Sequence, residues 1–222
     1  MKSCIIVGGA DISDYRIIKE RLALELLKEP FVIFCDSGLR HSGPLGLKPD
    51  LIVADFDSSE DPHLPVETIR LPREKDDTDT FYAAKEALKR GYESFTLIGV
   101  VGGRFDHSLG NISILLFLDN RGKCARIIDD HSEMEIIKEQ PVYVEDSYEY
   151  FSLIAIAGCA EGMTIRNAKF PLEDGKINPE YQYGISNEVL PGKKAMVSVG
   201  DGKLLLVKVF NERKEGCKYG QN

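Results

Sequence analysis

The 222-residue sequence lacks several features that would place it in a familiar class of protein. It contains no apolar run of about 18 residues, so we expect no membrane-spanning helix. It has neither the G-x-x-x-x-G-K pattern followed by Ser or Thr that marks P-loop proteins, nor a G-x-G-x-x-G pattern after the first apolar run. Its five cysteines form no C-x-x-C pair and never approach its four histidines at metal-ligand spacing, which argues against a zinc site.

An excess of positive charge is also lacking, because 28 lysines and arginines face 36 aspartates and glutamates, for a formal net charge of −8. A nucleic-acid-binding protein needs a basic surface to displace counterions, so this class is disfavoured. A nucleotide substrate is still compatible, provided that divalent cations lie between its phosphates and the acidic side chains. The cysteines are odd in number and scattered along the sequence, which is typical of reduced thiols. The first apolar run is too short for a secretory signal. We therefore expect a cytoplasmic protein.

Hydrophobic periodicity predicts two domains of different class. Up to residue 122, short apolar runs alternate with segments of helical periodicity, which predicts an α/β domain with a parallel sheet. From residue 123 to residue 222, strand-like runs follow one another about every ten residues with turn signals between them, which predicts an all-β sandwich or small barrel. Asp201-Gly202 between two apolar runs predicts a β-hairpin there. The expected strands of the first domain are 4–7, 31–35, 51–54, 67–71 and 95–101.

Carboxylates and glycines follow the predicted strands of the first domain. Parallel sheets usually carry their functional residues at the carboxyl ends of the strands, so these segments are expected to converge. Taken singly, each segment has a simpler explanation as a turn or a helix N-cap. The segments are Gly8-Gly9-Ala10-Asp11, Asp36-Ser37-Gly38, Asp55-Phe56-Asp57-Ser58, Lys75-Asp76-Asp77-Thr78-Asp79 and Gly102-Gly103-Arg104-Phe105-Asp106-His107.

Together these segments favour a metal–phosphate site over solvated turns. Asp55 and Asp57 are two residues apart, which on a strand puts both side chains on one face, within reach of one Mg2+. Carboxylates converging with them from residues 76–79 would repel unless a cation neutralised them. Arg104, between two glycines and a predicted helix start, is suited to grip phosphate oxygens. A surface arginine paired with Asp106 is the alternative interpretation.

The order and spacing of these motifs resemble the thiamine pyrophosphokinase family. The second half adds two segments that resemble the thiamine-side motifs of that family, Asn167–Leu172 and Gly184–Glu188. The resemblance runs from about residue 4 to residue 210. The departures are Ala54 and Ser37, where glycine is usual, and Phe170, where Tyr or Trp is usual.

The resemblance implies an Mg2+-dependent enzyme that transfers pyrophosphate from ATP to thiamine, giving thiamine diphosphate and AMP. It also implies a homodimer with active sites shared between subunits. On this interpretation Asp55, Asp57 and Asp79 hold Mg2+ and the triphosphate, Arg104 neutralises charge on the transferred group, and Asp106 orients Arg104 or the nucleophile. Phe170 would pack on a thiamine ring, with Ser186 and Asn187 bonded to its aminopyrimidine. Further nucleotide-binding residues would be Gly8, Gly9, Asp36, Ser37, Gly38, Lys75, Asp76, Thr78, Gly103 and His107.

Two other functions are compatible with the same residues. Aspartates clustered at strand ends also serve metal-dependent phosphohydrolases, which would release phosphate without an acceptor alcohol. A non-catalytic nucleotide-binding module would bind nucleotide without turnover. The sequence does not identify which aspartate accepts the proton of the attacking hydroxyl.

Overall fold

The computed structural model describes residues 1–56, 63–72, 74 and 76–211. The chain divides into two compact units, Met1–Asp130 and His131–Asn222. Asp57 and Lys75, which carry part of the expected site, lie outside the described residues. Within the described ranges, no helix has the length and apolar character needed to cross a membrane.

The first unit is built on six parallel strands, of which the alternating sequence pattern predicts five. They pair in the order β4-β3-β2-β1-β5-β6. The strands are β1 (Ser3–Val7), β2 (Phe31–Cys35), β3 (Leu51–Ala54), β4 (Glu67–Arg70), β5 (Ser94–Ile98) and β6 (Cys124–Ile128). The helices are α1 (Tyr15–Leu26), α2 (Ser42–Leu45), α3 (Asp79–Lys89) and α4 (Phe105–Asp119), and a 3-10 helix spans Asp36–His41.

The buried strands and the capped helices explain why this half folds as it does. All five residues of β1 are buried, as expected for an inner parallel strand with both faces covered. Helix α1 buries Ile17, Ile18 and Leu22, and Asp14 caps its first turn by accepting a hydrogen bond from the Arg16 amide at 2.9 Å. These elements leave the strand ends open on the carboxyl side, where the polar segments emerge.

Strand β6 differs from the sequence interpretation, which grouped it with the antiparallel strands. It pairs parallel with β5, with α4 as the connection between them. Its Arg126 donates to the Glu25 carboxylate of α1 at 2.9 Å, and Thr96 of β5 donates to the same carboxylate at 2.8 Å. This charged contact across the helix-covered face ties β6 to the first unit. The expected boundary at residues 122–123 precedes β6, whereas the compact units divide after it.

The second unit consists of antiparallel strands in two sets. One set pairs in the order β7-β13-β9, and a separate four-stranded sheet pairs in the order β11-β10-β12-β8. Side chains from both sets, including Phe151, Met163 and Leu206, form one apolar core. The strands are β7 (Ser132–Ile137), β8 (Val142–Glu145), β9 (Tyr148–Ile154), β10 (Ala160–Arg166), β11 (Leu172–Ile177), β12 (Lys194–Ser198) and β13 (Leu204–Phe210). The protein is thus of mixed α/β class with a separate antiparallel sheet.

The expected hairpin around Asp201-Gly202 is wrong. The two strands that flank this turn, β12 and β13, pair with different partners and belong to different sets. The turn residues pair instead with β10, where the Glu161 amide donates to the Asp201 carbonyl at 2.9 Å. Apolar side chains of both strands enter the same core from opposite sides, for which a local hairpin would be the wrong geometry.

Candidate functional site

A cleft of about 800 Å³ opens in the first unit at the carboxyl ends of the parallel strands. Its walls come from the segments after β1, β2, β3 and β5 and from the start of α3. Most of the residues expected to form a nucleotide site are brought together there. Those that line the cleft are Gly9, Asp36, Ser37, Asp55, Asp76, Thr78, Asp79, Gly103, Arg104 and His107.

Three of the residues expected at the nucleotide site, among those that the structure describes, stand outside this lining. Gly8 and Gly38 pack the ends of neighbouring strands together: a Cβ on Gly38 would lie 2.5 Å from the Val7 carbonyl oxygen, and one on Gly8 would lie 2.7 Å from the Gly99 carbonyl oxygen. Both contacts are with backbone, so only glycine fits. Asp106 faces Arg104 rather than the cleft.

The carboxylates of the cleft are of the type that Mg2+ prefers, but they are not all equally available. Asp77 accepts two hydrogen bonds from the Lys85 ammonium of α3, at 2.7 and 3.0 Å, so its charge is already compensated. Asp36 has a φ of 43°, in the left-handed region, which redirects the chain as it leaves β2. Within the part of the chain that the structure describes, no three His, Cys, Asp or Glu side chains are arranged to hold a metal. Asp57, the third expected ligand, lies outside that part.

Thr78 acts as the N-cap of α3, which was the simpler of its two interpretations. Its hydroxyl oxygen accepts a hydrogen bond from the Phe81 amide at 3.2 Å. The capped helix still begins at the cleft, because Thr78, Asp79 and Thr80 all line it. Capping therefore fixes where Asp79 stands, and the partial positive charge of the helix N-terminus lies at the same edge.

Arg104 and Asp106 form a bidentate ion pair on the surface. Arg104 Nη2 lies 2.6 Å from Asp106 Oδ2, and Nε lies 3.2 Å from Oδ1. This hydrogen bonding lowers the pKa of Asp106 to about 2 and raises the pKa of Arg104. The pair matches the alternative interpretation of Arg104 and also the expected role of Asp106 in orienting it. The preceding Gly102 and Gly103, with φ of 110° and 62°, turn the chain into α4.

Sequence reasoning missed a buried histidine behind the cleft. His41 is 1% exposed, with Nδ1 2.8 Å from the Tyr15 hydroxyl oxygen and Nε2 3.0 Å from the Ala10 carbonyl oxygen. A carbonyl oxygen can only accept, so Nε2 carries the proton and Nδ1 accepts from Tyr15. Burial lowers the pKa of His41 and keeps the ring neutral. The ring thereby fixes the loop after β1, which lines the cleft.

Arg40 and Asn111 are two further cleft residues that the motif analysis did not select. Arg40 follows Asp36-Ser37-Gly38 by two residues, and its Nη2 donates to the Gly9 carbonyl and to Asp11, each at 2.6 Å. Asn111 is buried on α4 and donates to the Val100 carbonyl at 2.7 Å, which anchors the segment after β5. The only sequence signal for Arg40 was its position just beyond a chosen motif, and a helical asparagine gives none.

The thiamine-side residues expected from the resemblance lie in the second unit, and Asn187 organises them. Asn187 is 5% exposed; its Nδ2 donates to the Phe170 carbonyl at 2.7 Å, and its Oδ1 accepts from the Phe170 amide at 3.0 Å. Phe170 itself is 60% exposed, with the Lys169 ammonium 5.7 Å from its ring centroid. Ser186 has a φ of 56°, and its amide donates to the Ser152 hydroxyl oxygen at 3.0 Å. The Asn187 side chain therefore bonds to both backbone polar groups of Phe170.

Two family models match the chain, and both describe parts of one enzyme. "Thiamin pyrophosphokinase, catalytic domain" matches residues 22–127, and "Thiamin pyrophosphokinase, vitamin B1 binding domain" matches residues 134–204. Between them they cover more than three quarters of the sequence. The first stretch carries most of the cleft, and the second carries Phe170, Ser186 and Asn187.

Individual relatives agree with the family models. The chain is 28% identical over 137 residues to the thiamine pyrophosphokinase of Bacillus subtilis (strain 168), a match that spans 61% of this chain and 64% of that relative. The solved structure of a B. subtilis thiamine pyrophosphokinase superposes with a TM-score of 0.81 at 23% identity, covering 95% of this chain and all of that one. The Candida albicans thiamin pyrophosphokinase gives 0.75 at 14% identity, covering 95% and 89%. At these identities the two structures show a shared fold.

Proposed function

The chain belongs to the thiamin pyrophosphokinase family, and on that premise we propose that it is an ATP-dependent thiamine diphosphokinase. The thiamine hydroxyl attacks the β-phosphorus of ATP, thiamine diphosphate forms and AMP leaves. The observation that carries the proposal is the cleft of aspartates and arginines at the carboxyl ends of a parallel sheet, within the stretch matched by the catalytic-domain model. Transfer of this kind depends mainly on positioning and charge stabilisation.

The nucleotide half of the proposal assigns roles to the acidic and basic sides of the cleft. Asp55, Asp57 and Asp79 would hold Mg2+, because carboxylate oxygens are the ligands this ion prefers, and the bound ion would neutralise phosphate charge. Arg104 would stabilise charge that grows on the transferred group, with its guanidinium oriented by the bidentate contact to Asp106.

The thiamine half rests on the second unit. Phe170 would pack against an aromatic ring of thiamine, since it is largely exposed and its backbone is fixed by Asn187. Ser186 would bond to the aminopyrimidine, and Asn187 would act mainly by holding Phe170. The acidic character of the protein suits a substrate with a permanent thiazolium charge. We also propose a cytoplasmic enzyme, in keeping with the free thiols of Cys4, Cys35, Cys124 and Cys159.

The direct test is incubation of the purified protein with ATP, Mg2+ and thiamine, followed by chromatography of the products. We expect AMP and thiamine diphosphate in equal amounts, with neither formed when thiamine is omitted. Release of phosphate or pyrophosphate without thiamine would identify the phosphohydrolase instead. Nucleotide binding without any product would identify the non-catalytic module. The family match favours neither of these alternatives.

We further propose a homodimer whose active sites each combine nucleotide residues of one subunit with thiamine residues of the other. An isologous dimer would carry two such sites. The test mixes two weakened variants, Asp57→Ala and Phe170→Ala, under conditions of subunit exchange. A mixed dimer then has one doubly altered site and one intact site, so random exchange should restore roughly a quarter of wild-type activity. If exchange is confirmed by mass spectrometry and activity stays at the level of the separate variants, the shared site is refuted.

A further inference from the structure

Arg40 stands at the cleft without a role in the function proposed above. It belongs to the 3-10 helix that follows β2, and it lines the cleft with Asp36 and Ser37. We propose that Arg40 binds the polyphosphate chain of the nucleotide, as a second guanidinium in addition to Arg104. This inference rests on the proposed function, because it assigns a ligand contact within the same site.

The hydrogen bonding of Arg40 holds its guanidinium in place while leaving donors available. Nη2 donates both of its protons, one to the Gly9 carbonyl and one to Asp11 Oδ1, each at 2.6 Å. Nη1 makes no hydrogen bond to any residue that the structure describes. A guanidinium that is already held through Nη2, with Nε 3.4 Å from His41 Nε2, loses little freedom when Nη1 binds a phosphate oxygen, which favours tight contact.

The strand order places the two arginines on either side of the loop after β1. Arg40 follows β2 and Arg104 follows β5, and both of these strands pair with β1. Asp55 stands at the end of β3, beyond β2. A triphosphate that bridges from the carboxylate side, where Mg2+ would bind, toward the β1 loop would therefore meet Arg40 on its path. Fixed positive charge on Arg40 would offset part of the repulsion between the phosphates and the carboxylates of the cleft.

Replacing Asp11 distinguishes two roles of Arg40: binding phosphate, and only holding the loop after β1 in place. Its carboxylate is paired with Arg40 and offsets part of the positive charge. If Arg40 binds phosphate, removing the Asp11 charge should strengthen nucleotide binding, whereas removing Arg40 should weaken it. If Arg40 only braces the β1 loop through Gly9 and Asp11, both changes should weaken binding. The two roles thus predict opposite signs for Asp11→Asn.

The experiment measures binding of α,β-methylene-ATP with Mg2+ by calorimetry. This analogue carries a methylene group in place of the oxygen that bridges the α- and β-phosphorus, so the bond that would be cleaved is absent and binding is observed without turnover. We expect Arg40→Gln to raise the Kd by about 10- to 100-fold and Asp11→Asn to lower it by about two- to fivefold. Arg16→Gln is the matched control, because Arg16 pairs with Asp14 at 3.1 Å outside the cleft. Its Kd should match wild type.

Inorganic tripolyphosphate, which lacks base and ribose, identifies the part of the nucleotide that Arg40 contacts. Its affinity should fall by the same factor in Arg40→Gln, with far-UV circular dichroism unchanged. An unchanged tripolyphosphate affinity, an unchanged nucleotide Kd in Arg40→Gln, or weaker binding in Asp11→Asn would each overturn the inference while wild-type turnover leaves the proposed function intact. A wild-type protein that binds no nucleotide would overturn both.

Discussion

Replacing Asn187 by alanine tests how the second unit would present Phe170 to thiamine. The side chain makes three hydrogen bonds: two to the Phe170 backbone, at 2.7 and 3.0 Å, and one from the Glu188 amide to Oδ1 at 2.9 Å. Its own backbone pairs with Phe151 and is unaffected. Alanine would leave three backbone groups without their partner, at about 1 kcal/mol each. The free energy of unfolding should fall by roughly 3 kcal/mol and the Tm by roughly 6–12 °C.

The same change should weaken thiamine binding without touching the substrate directly. Once its backbone is released, the exposed Phe170 ring must be ordered when thiamine binds, so we expect the KM for thiamine to rise by about tenfold, or ~1.4 kcal/mol. The KM for ATP should not change. Asn187→Asp keeps the acceptor but places an oxygen against the Phe170 carbonyl, so it should be at least as harmful.

Thermal unfolding and steady-state kinetics together test whether Asn187 affects thiamine binding by holding Phe170. Asn178→Ala is the matched control, because Asn178 Oδ1 accepts from the amides of Glu180 and Tyr181 in another loop of the same unit. It should lower the Tm while leaving the KM for thiamine unchanged. A raised KM in Asn187→Ala with an unaltered Tm would show that Asn187 contacts thiamine itself and would refute the reasoning from Phe170.

Three further predictions concern the first unit. Asp57→Asn, which removes one anionic ligand oxygen, should lower turnover by two or more orders of magnitude, about 3 kcal/mol, with unchanged circular dichroism; near-normal turnover at ordinary Mg2+ would remove Asp57 from the mechanism. Arg104→Lys should lower kcat more than ATP affinity because the planar fork is lost, and a pure rise in KM contradicts this. The lowered pKa of His41 means that the unfolded state binds its proton more readily, so denaturant titrations should show stability falling as pH drops below about 6.5. His41→Gln should make the free energy of unfolding less dependent on pH in this range. An equal pH dependence in the variant and in wild type would contradict the assignment to His41.

The inner part of the parallel sheet was predictable because β1, β2, β3 and β5 are short, apolar and almost entirely buried. Such runs stand out between helical segments, and the polar residues that end them are fixed at one edge by the parallel pairing alone. That is why Asp36, Asp55 and Arg104 emerge at one cleft. Their binding roles remain predictions, since they depend on ligands and on Asp57.

Pairings between distant segments were not predictable. Strand β6 looks like any other short apolar run, and its place in the sheet is set by parallel pairing with β5, beside which Arg126 bonds to Glu25, about a hundred residues away. Asp201-Gly202 has the composition of a hairpin turn, yet the two strands that flank it, β12 and β13, pair in different sets around the core. The expected boundary at residues 122–123 and the division of the compact units after residue 130 differ for the same reason, because local patterns carry no information on partners.

The roles of His41 and Asn187 could not be predicted from the sequence, because they depend on the burial of these two side chains. A histidine three residues beyond a Gly-containing segment gives no indication that its ring is enclosed and bonded to Tyr15 and Ala10. Asn187 was selected for substrate contact because the family motif contains it, whereas its side chain is committed to the Phe170 backbone. In both positions a polar side chain replaces backbone pairing that loops cannot supply themselves.

The close backbone contacts among Gly8, Gly38 and Gly99 have a consequence for engineering the cleft. A Cβ at any of the three would lie 2.5 to 2.7 Å from a carbonyl oxygen of a neighbouring strand end, so these positions are closed to every other amino acid. The spacing between the ends of β2, β1 and β5 is thus set by main chain alone. Libraries that seek a new nucleotide preference should therefore vary side chains such as Ser37 and Asn111, because substitutions there leave the main-chain spacing of these strand ends unchanged.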